Sequence, residues 1–403
     1  MQRFNYEARD TTTDKIVKAV VQAENESEAA KLLVGQGFKP LSIKEAGNQN
    51  SIFARLTDRI TVKDKVVFSR QLSTLIAAGL PLSQSLRTVV DQTANRRLRG
   101  FIQEIIVSIE AGHSLHDSFA KYPDVFDKLF LSLVAAGEAS GTLDEALQRI
   151  ALQQEKDVMI NSRIRGAMTY PVIVLFVIAG VMAFMLFTVV PQVEKLYISL
   201  HQTLPLITQV IVSISQFGTR YWWLVLIVLV IAVYLIYQYL RTDAGKRFMD
   251  VVKLNMPVFK GLFRRLYMAR FNRTGETLLN SGVSMLDMLS IAGESVNNSV
   301  IAEEIGRAAV KVKGGKDLSS SLRGEDHIPE LVPQMISVGE KSGRIDEMMG
   351  KVAKIYEDEL DEEIATISTA IEPVLMVVLA IVAGSMVAAI LLPIYSLVNT
   401  LSI

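Results

Sequence analysis

The sequence predicts a mainly α-helical integral membrane protein, with two duplicated cytoplasmic helical bundles, three transmembrane helices and a small N-terminal α+β module. Three observations carry that expectation. Three stretches run without charge for long enough to cross a bilayer, the polar regions between them repeat at a nearly fixed offset, and the apolar spacing inside each repeat is helical.

Composition sets the outer bounds. Half of the 403 residues are hydrophobic and the mean hydropathy is +0.31, yet 21% are charged, which points to a chain partly in lipid and partly in water. The 42 lysines and arginines balance 42 acids, so no global field draws the chain to nucleic acid, and no nucleic-acid partner is expected. Cysteine is absent, which removes disulfides, thiolate metal sites and cysteine nucleophiles. The opening MQRFNYEARD is polar from the start and does not read as a secretory signal peptide.

Residues 1–45 differ in kind from the rest. FNYEARD, KIVKAVVQA and FKPLSIKEA read as short strands and ENESEAAKLLVGQG as a capped helix, giving a β-β-α-β module. Residues 46–64 follow as a linker and amphipathic segment. A first bundle is expected over 65–166, where apolar residues recur at helical spacing (Leu98, Phe101, Ile102, Ile105, Ile106, Ile109) and turn signals divide the region into five or six helices.

The first span, 167–191, lies in 28 residues between Arg165 and Glu194 that hold no acid, lysine or arginine. An external loop is expected over 192–220. The second span, 221–240, opens with Trp222 and Trp223, whose rings favour the headgroup layer. Residues 241–371 form a second cytoplasmic region, with a bundle over about 268–371, and the third span, 372–395, leaves an external tail at 396–403. Pro171 and Pro191 bracket the first span and Pro373 and Pro393 the third, each pair 20 residues apart, so helix ends are expected there. Positions 241–273 carry nine lysines and arginines against two in 191–220, which places the N-terminus inside and the C-terminus outside.

The repeat is most visible in AAGEASGTLDEAL at 135–147 and SVGEKSGRIDEMM at 337–349. FSRQLSTLIAAGLPLSQSL at 68–86 aligns in the same way with FNRTGETLLNSGVSMLDML at 271–289, matching Phe68 to Phe271, Arg70 to Arg273 and Gly79 to Gly282. The offset is 203 residues there and 202 from the GE-x-SG stretch onward. The second span thus returns the chain to the cytoplasm, so that both copies share one topology. Within the corner, Gly137 and Gly141 suit a helix end, and Thr142 with Glu145 spells a T-x-x-E capping box that the second copy lacks at Arg344. A structural corner is one reading; the other makes Glu138, Gly141 and Asp144, with Glu340, Gly343 and Asp346, a surface that touches a partner.

Two bundles with GE-x-SG near their ends, each followed by a proline-framed span, together with the F-x-Y-x-A opening, resemble one family. They are similar to the inner-membrane platform proteins of bacterial type IV pilus and type II secretion machines, the F/C family, over essentially the whole chain. The resemblance implies a non-enzymatic, oligomeric platform in the bacterial inner membrane. It also implies partners: a separate cytoplasmic hexameric assembly ATPase, pilin or pseudopilin, other inner-membrane machine components and membrane lipid. The pilus and secretion branches stay open, with a lean to the pilus. Members often carry glycine in the first hairpin, where this chain has TTTDK at 11–15.

Catalytic and cofactor motifs are not apparent. KVKGGKDLSSS at 311–321 has Val310 where a phosphate-binding loop needs its first glycine and Asp317 after the lysine, and it occupies the repeat position of a helix–helix turn. His113 and His116 have no third ligand nearby, so no metal is expected. The acidic run EDELDEEI at 357–364 reads as a solvated helix face or a surface for the ATPase. An ATPase-coupled transporter or permease subunit is the alternative function, and the spans' lack of ionisable residues counts against it.

Overall fold

The structure, a computed structural model, describes residues 2–10, 16–23, 30, 38–45, 59–199, 206–257 and 259–401. Strands β1 (Gln2–Asp10), β2 (Ile16–Ala23) and β3 (Phe38–Glu45) form one antiparallel sheet in the order β2-β1-β3. Its register shifts between Glu7 and Ala8, where Pro40 of edge strand β3 stands opposite Ala8. An edge position beside a bulge is where a residue without a backbone donor disturbs the ladder least. Apart from Ala30, which is helical, the helix expected at 24–37 lies outside the described residues, as do the turn at 11–15 and the linker at 46–58.

The first bundle comprises α1 (Val62–Ala77), α2 (Leu82–Gln92), α3 (Arg96–Glu110), α4 (Leu115–Ala120), α5 (Lys128–Ser140) and the start of α6 (Leu143–Phe184). A capping box opens α1, with Asp64 N donating to Thr61 Oγ1 at 3.2 Å and Thr61 N to Asp64 Oδ2 at 2.7 Å. Asn95 caps α3 by accepting from the amides of Arg97 and Leu98. The core is aromatic: Phe119 stands 4.5 Å from Phe126 and 5.0 Å from Phe130 between ring centroids, with Phe68 at 6.2 Å.

The second bundle repeats that order with α11 (Lys260–Leu279), α12 (Met285–Ser295), α13 (Ser299–Lys313), α14 (Leu318–Leu322), α15 (Leu331–Ser342) and the start of α16 (Ile345–Leu401). Asn298, the counterpart of Asn95, caps α13 through Val300 and Ile301. Here the core is aliphatic and methionine-rich, with Met268, Phe271, Met288, Leu322, Val332 and Met349 buried. The buried residues of both bundles form one continuous cluster.

Among the described residues, three helices are long and apolar enough to cross a membrane. The first is α6, which passes through a π turn at Met185–Val189 into α7 (Val190–Ser199); the second is α9 (Trp222–Arg241) and the third α16. The span prolines are therefore not helix ends. Pro171 lies inside α6, Pro191 is the second residue of α7, and Pro373 and Pro393 fall within α16. Lipid offers a freed backbone group no water, so local winding and neighbouring side chains keep such helices continuous. The π turn shows this: Pro191 cannot donate to Phe187 O, the winding widens just before it, and Leu186 O accepts from Ser215 Oγ.

That serine belongs to a second departure from expectation. Positions 192–199 and 206–220 are helical rather than a loop: α7 extends to Ser199, and α8 (Leu206–Arg220) packs back on the π turn, with 200–205 outside the described residues. Val212 and Ser215 are buried, and a Cβ on Gly218 would lie 2.9 Å from the Phe187 ring. A short helix, α10 (Asp243–Asn255), follows the second span.

Candidate functional site

The GE-x-SG corners join α5 to α6 and α15 to α16, and each of their four specified positions has a local cause. A Cβ on Gly137 would stand 2.6 Å from Ala146 Cβ and 3.1 Å from Leu143 Cα; on Gly339 it would stand 2.7 Å from Ile345 Cα. Only glycine lets the two helices meet that closely. Glu138 reaches across to α4 and accepts from Leu115 N at 2.8 Å and His116 N at 3.1 Å. Glu340 does the same on α14, accepting from Ser319 N at 3.2 Å and from Ser319 Oγ. A carboxylate is well placed there, since the first amides of a helix lack partners and carry partial positive charge.

Ser140 Oγ donates back to Ala136 O at 2.7 Å and Ser342 Oγ to Val338 O at 2.8 Å. Gly141 and Gly343 end their helices at φ 75° and 72°, the left-handed region that disfavours a side chain. The capping box expected at Thr142 is not formed. Thr142 has ψ 44°, its Oγ1 lies 2.7 Å from Ser140 Oγ, and Glu145 pairs instead with Arg149 at 3.4 Å. Asp144 is exposed and Asp346 half-buried, both in the first turn of the helix that becomes a span.

The larger polar assembly is the seam between the copies. Lys156 of α6 donates to Glu357 of α16 at 2.9 Å, Arg163 pairs with Asp361, Arg270 lies 3.8 Å from Asp157, and Lys128 pairs with Glu294 at 2.7 Å. Arg149 Nη1 donates to Ser281 Oγ at 2.8 Å. At the centre Arg273 bridges Glu357 at 2.8 Å and Glu276 at 2.6 Å, with about a sixth of its side chain exposed. Burial alone would push the Glu357 carboxyl up; hydrogen bonds from Arg273 and Lys156 and their charges outweigh it and hold it below the usual range.

Apart from the exposed Glu362, the acids of the run at 357–364 are engaged within the chain. Glu359 and Glu363 both take Arg265, at 2.8 and 2.7 Å, and Asp358 takes Lys354 at 2.6 Å. Sequence reasoning did not single out this network. A signal for it existed, because Arg70 aligns with Arg273 and the Arg70–Glu155 pair at 3.0 Å is the first-copy counterpart of Arg273–Glu357. His113 and His116 turn to Ser108 O and Asp117, each at 3.1 Å.

Within the membrane segment, α6 and α16 face each other across an apolar cleft lined by Val177, Ile178 and Val181 on one side and Leu379, Val382 and Ala383 on the other. None of the residues of α9 is buried.

These features define a class: a multi-pass membrane protein made of a duplicated bundle-and-span unit. Residues 68–191 and 276–393 each match the family described as type II secretion system (T2SS), protein F, and residues 1–44 match the N-terminal domain of the same proteins. The chain belongs to that family. It is 37% identical over 408 residues to the type IV pilus assembly protein PilC of Thermus thermophilus, covering 100% of both chains. It is 35% identical to the PilC of Myxococcus xanthus, over 99% of this chain and 96% of the relative. Against the type II secretion system protein F of Pseudomonas aeruginosa the identity is 32%, over 98% and 99%.

Proposed function

We propose that the chain is a non-enzymatic platform of the bacterial inner membrane that couples a separate cytoplasmic hexameric assembly ATPase to polymerisation of pilin or pseudopilin. The observation that carries this reading is helix continuity. The last helix of each bundle is also its membrane span, so a displacement of the bundle arrives in the bilayer without a hinge. A helix of 57 residues is about 85 Å long, and about 20 residues suffice to cross the hydrocarbon. The ion pairs of the seam tie the two rods together below the membrane.

In this reading both bundles face the cytoplasm, the C-terminus is external, and the four prolines mark the borders of the apolar segments rather than of the helices. Glu138 and Glu340 serve the fold, which leaves the exposed Asp144 and the half-buried Asp346 for the motor. The unpartnered α9, and Gly180 and Gly384 with open space beside them, fit contacts with further copies and with a pilin helix. The greater identity to the Thermus pilus protein than to the Pseudomonas secretion protein favours the pilus branch.

A flexible Gly-Gly-Ser insertion after Gly166, between bundle and span, tests the coupling. Membrane insertion and stability are expected to persist while filaments are lost; filaments at wild-type number would overturn the mechanism. Photo-crosslinking groups at Asp144 and Asp346 are expected to capture the ATPase in cells, and capture of lipid or self alone would remove the corner from the motor interface.

A further inference from the structure

Where α6 and α16 leave the bundles, an apolar groove opens against α10. Ala167 and Met168 of α6, Ile364 of α16, Met249 and Val252 of α10, and Met256 just past its end form its walls. On α10, Met249, Val252 and Lys253 fall at i, i+3 and i+4 and so lie on one side of the helix.

Two observations place the groove at the membrane surface. Ala167 and Met168 lie just inside the charge-free stretch that begins at 166, and α10 starts two residues after Arg241, the last residue of α9. The opposite side of α10 is fixed to the second bundle: Arg247 forms two 3.0 Å bonds to Glu303, and Asp250 Oδ2 accepts from Ser299 N and Oγ at 2.9 Å each. Phe248 and Val251, outside the groove, remain exposed, as expected of a helix lying in an interface.

Charge decides among occupants. Positions 241–273 carry nine lysines and arginines against two acids, Asp243 and Asp250. Lys253 is part of the groove wall, and its Nζ lies 3.7 Å from an Asp250 carboxylate already engaged by Ser299. Arg165 and Lys260, each within two residues of the lining, are exposed and form no ion pair among the described residues. A free anion has nothing to gain from an apolar wall, and a zwitterionic lipid has no need of the cations.

We propose that the groove holds an acyl chain of an anionic phospholipid from the surrounding bilayer, with its phosphate between Lys253, Lys260 and Arg165. Such a lipid wedges the seam between the copies at the level where both rods enter the membrane. Cations at a bilayer surface attract anionic headgroups additively.

Native mass spectrometry of the full chain in detergent tests this, with phosphatidylglycerol and phosphatidylcholine of matched acyl chains as the two probes. Wild type is expected to retain phosphatidylglycerol preferentially, and each of K253Q, K260Q and R165Q to lower that preference about fivefold. Ala167→Phe, which fills the groove and leaves the cations in place, is expected to reduce retention of both lipids, with circular dichroism reporting the fold. Equal retention of the two lipids by wild type overturns the proposal. So does undiminished selectivity in the triple cation variant, or undiminished retention in Ala167→Phe, the outcome expected if a partner's helix rather than lipid occupies the groove.

Discussion

The two bundles share an order of helices, a pair of capping asparagines and a glycine-closed corner, yet they are stitched together differently. In the first copy Arg70 and Glu155 pair on the surface, with roughly half and a third of their side chains exposed; in the second, Arg273 and Glu357 form the same pair nearly enclosed. The copies do not meet as symmetric partners. Lys156 reaches Glu357, and the mirrored contact would set Asp358 against Glu155, two acids that repel. Duplication therefore preserved the unit, and divergence at a few positions made one copy's surface pair into the centre of the seam.

The cores diverged in a compensating way. Leu72 and Leu147 of the first copy correspond to Gly275 and Met349 of the second, and a Cβ on Gly275 would collide with Met349 Cε and lie 2.8 Å from its sulfur. Volume removed from one helix is supplied by the other, as close packing requires. Phe101 and Tyr122, stacked at 4.5 Å, have as counterparts Glu304 and Glu325. Glu304, almost fully buried, takes His327 Nδ1 at 2.7 Å, and Glu325 takes Arg307 and Lys311. The second copy thus holds a buried charge, Glu304, where the first has an aromatic ring.

The largest expected difference between the copies follows from that. Arg273→Ala strands Glu276 and leaves Glu357 with Lys156 alone, and is expected to cost about 3 kcal/mol, while Arg70→Ala at the matching surface site costs about 1 kcal/mol or less. Thermal unfolding of the two variants in detergent measures the gap. Equal losses would mean that the seam network contributes no more than a surface pair.

Much of the fold was legible in the sequence. The repeat, the helical spacing and the three apolar stretches each follow from side-chain pattern, and Pro171, Pro191, Pro373 and Pro393 were read by the rule that holds in water. In these long helices the same prolines sit inside, because continuity of backbone bonding outweighs one lost donor where no water competes. Helix α8 was missed because its β-branched run, VIVSI, argues against an isolated helix, and the support it receives from the π turn is tertiary. At the corner the glycines and Glu138 and Glu340 were visible as a motif. Their work was not, since α4 and α14 come close to them only in three dimensions.

A second comparison probes that corner. Gly339→Ala sets a methyl 2.7 Å from the backbone Cα of Ile345, whereas Gly137→Ala meets chiefly the Ala146 methyl. The Ala146 methyl is fixed to its backbone and can yield no more readily than a Cα, so both variants are expected to lose about 1–3 kcal/mol to a similar extent. Melting of the pair would show whether the two corners are equally tight; a tolerated Gly339→Ala would place the corner's rigidity in the glutamate and the left-handed glycine instead.

Acid sharpens the contrast further. Glu357 and Glu325 both belong to the second copy, and in both, burial pushes the carboxyl up while paired cations push it further down, so each titrates below its ordinary 4.5 in the folded chain. A depressed carboxyl stabilises the fold fully above its unfolded value, and the contribution fades as pH falls through the folded one. The second bundle is thus expected to loosen first below about pH 4.5, with peptic cleavage appearing between 260 and 370 before it appears between 62 and 140. Glu357→Gln removes one source of that dependence: its stability deficit against wild type should be full above pH 5 and shrink on acidification. A deficit that stays constant across that range would mean the seam holds Glu357 by shape rather than by charge, and the two copies would then differ in packing alone.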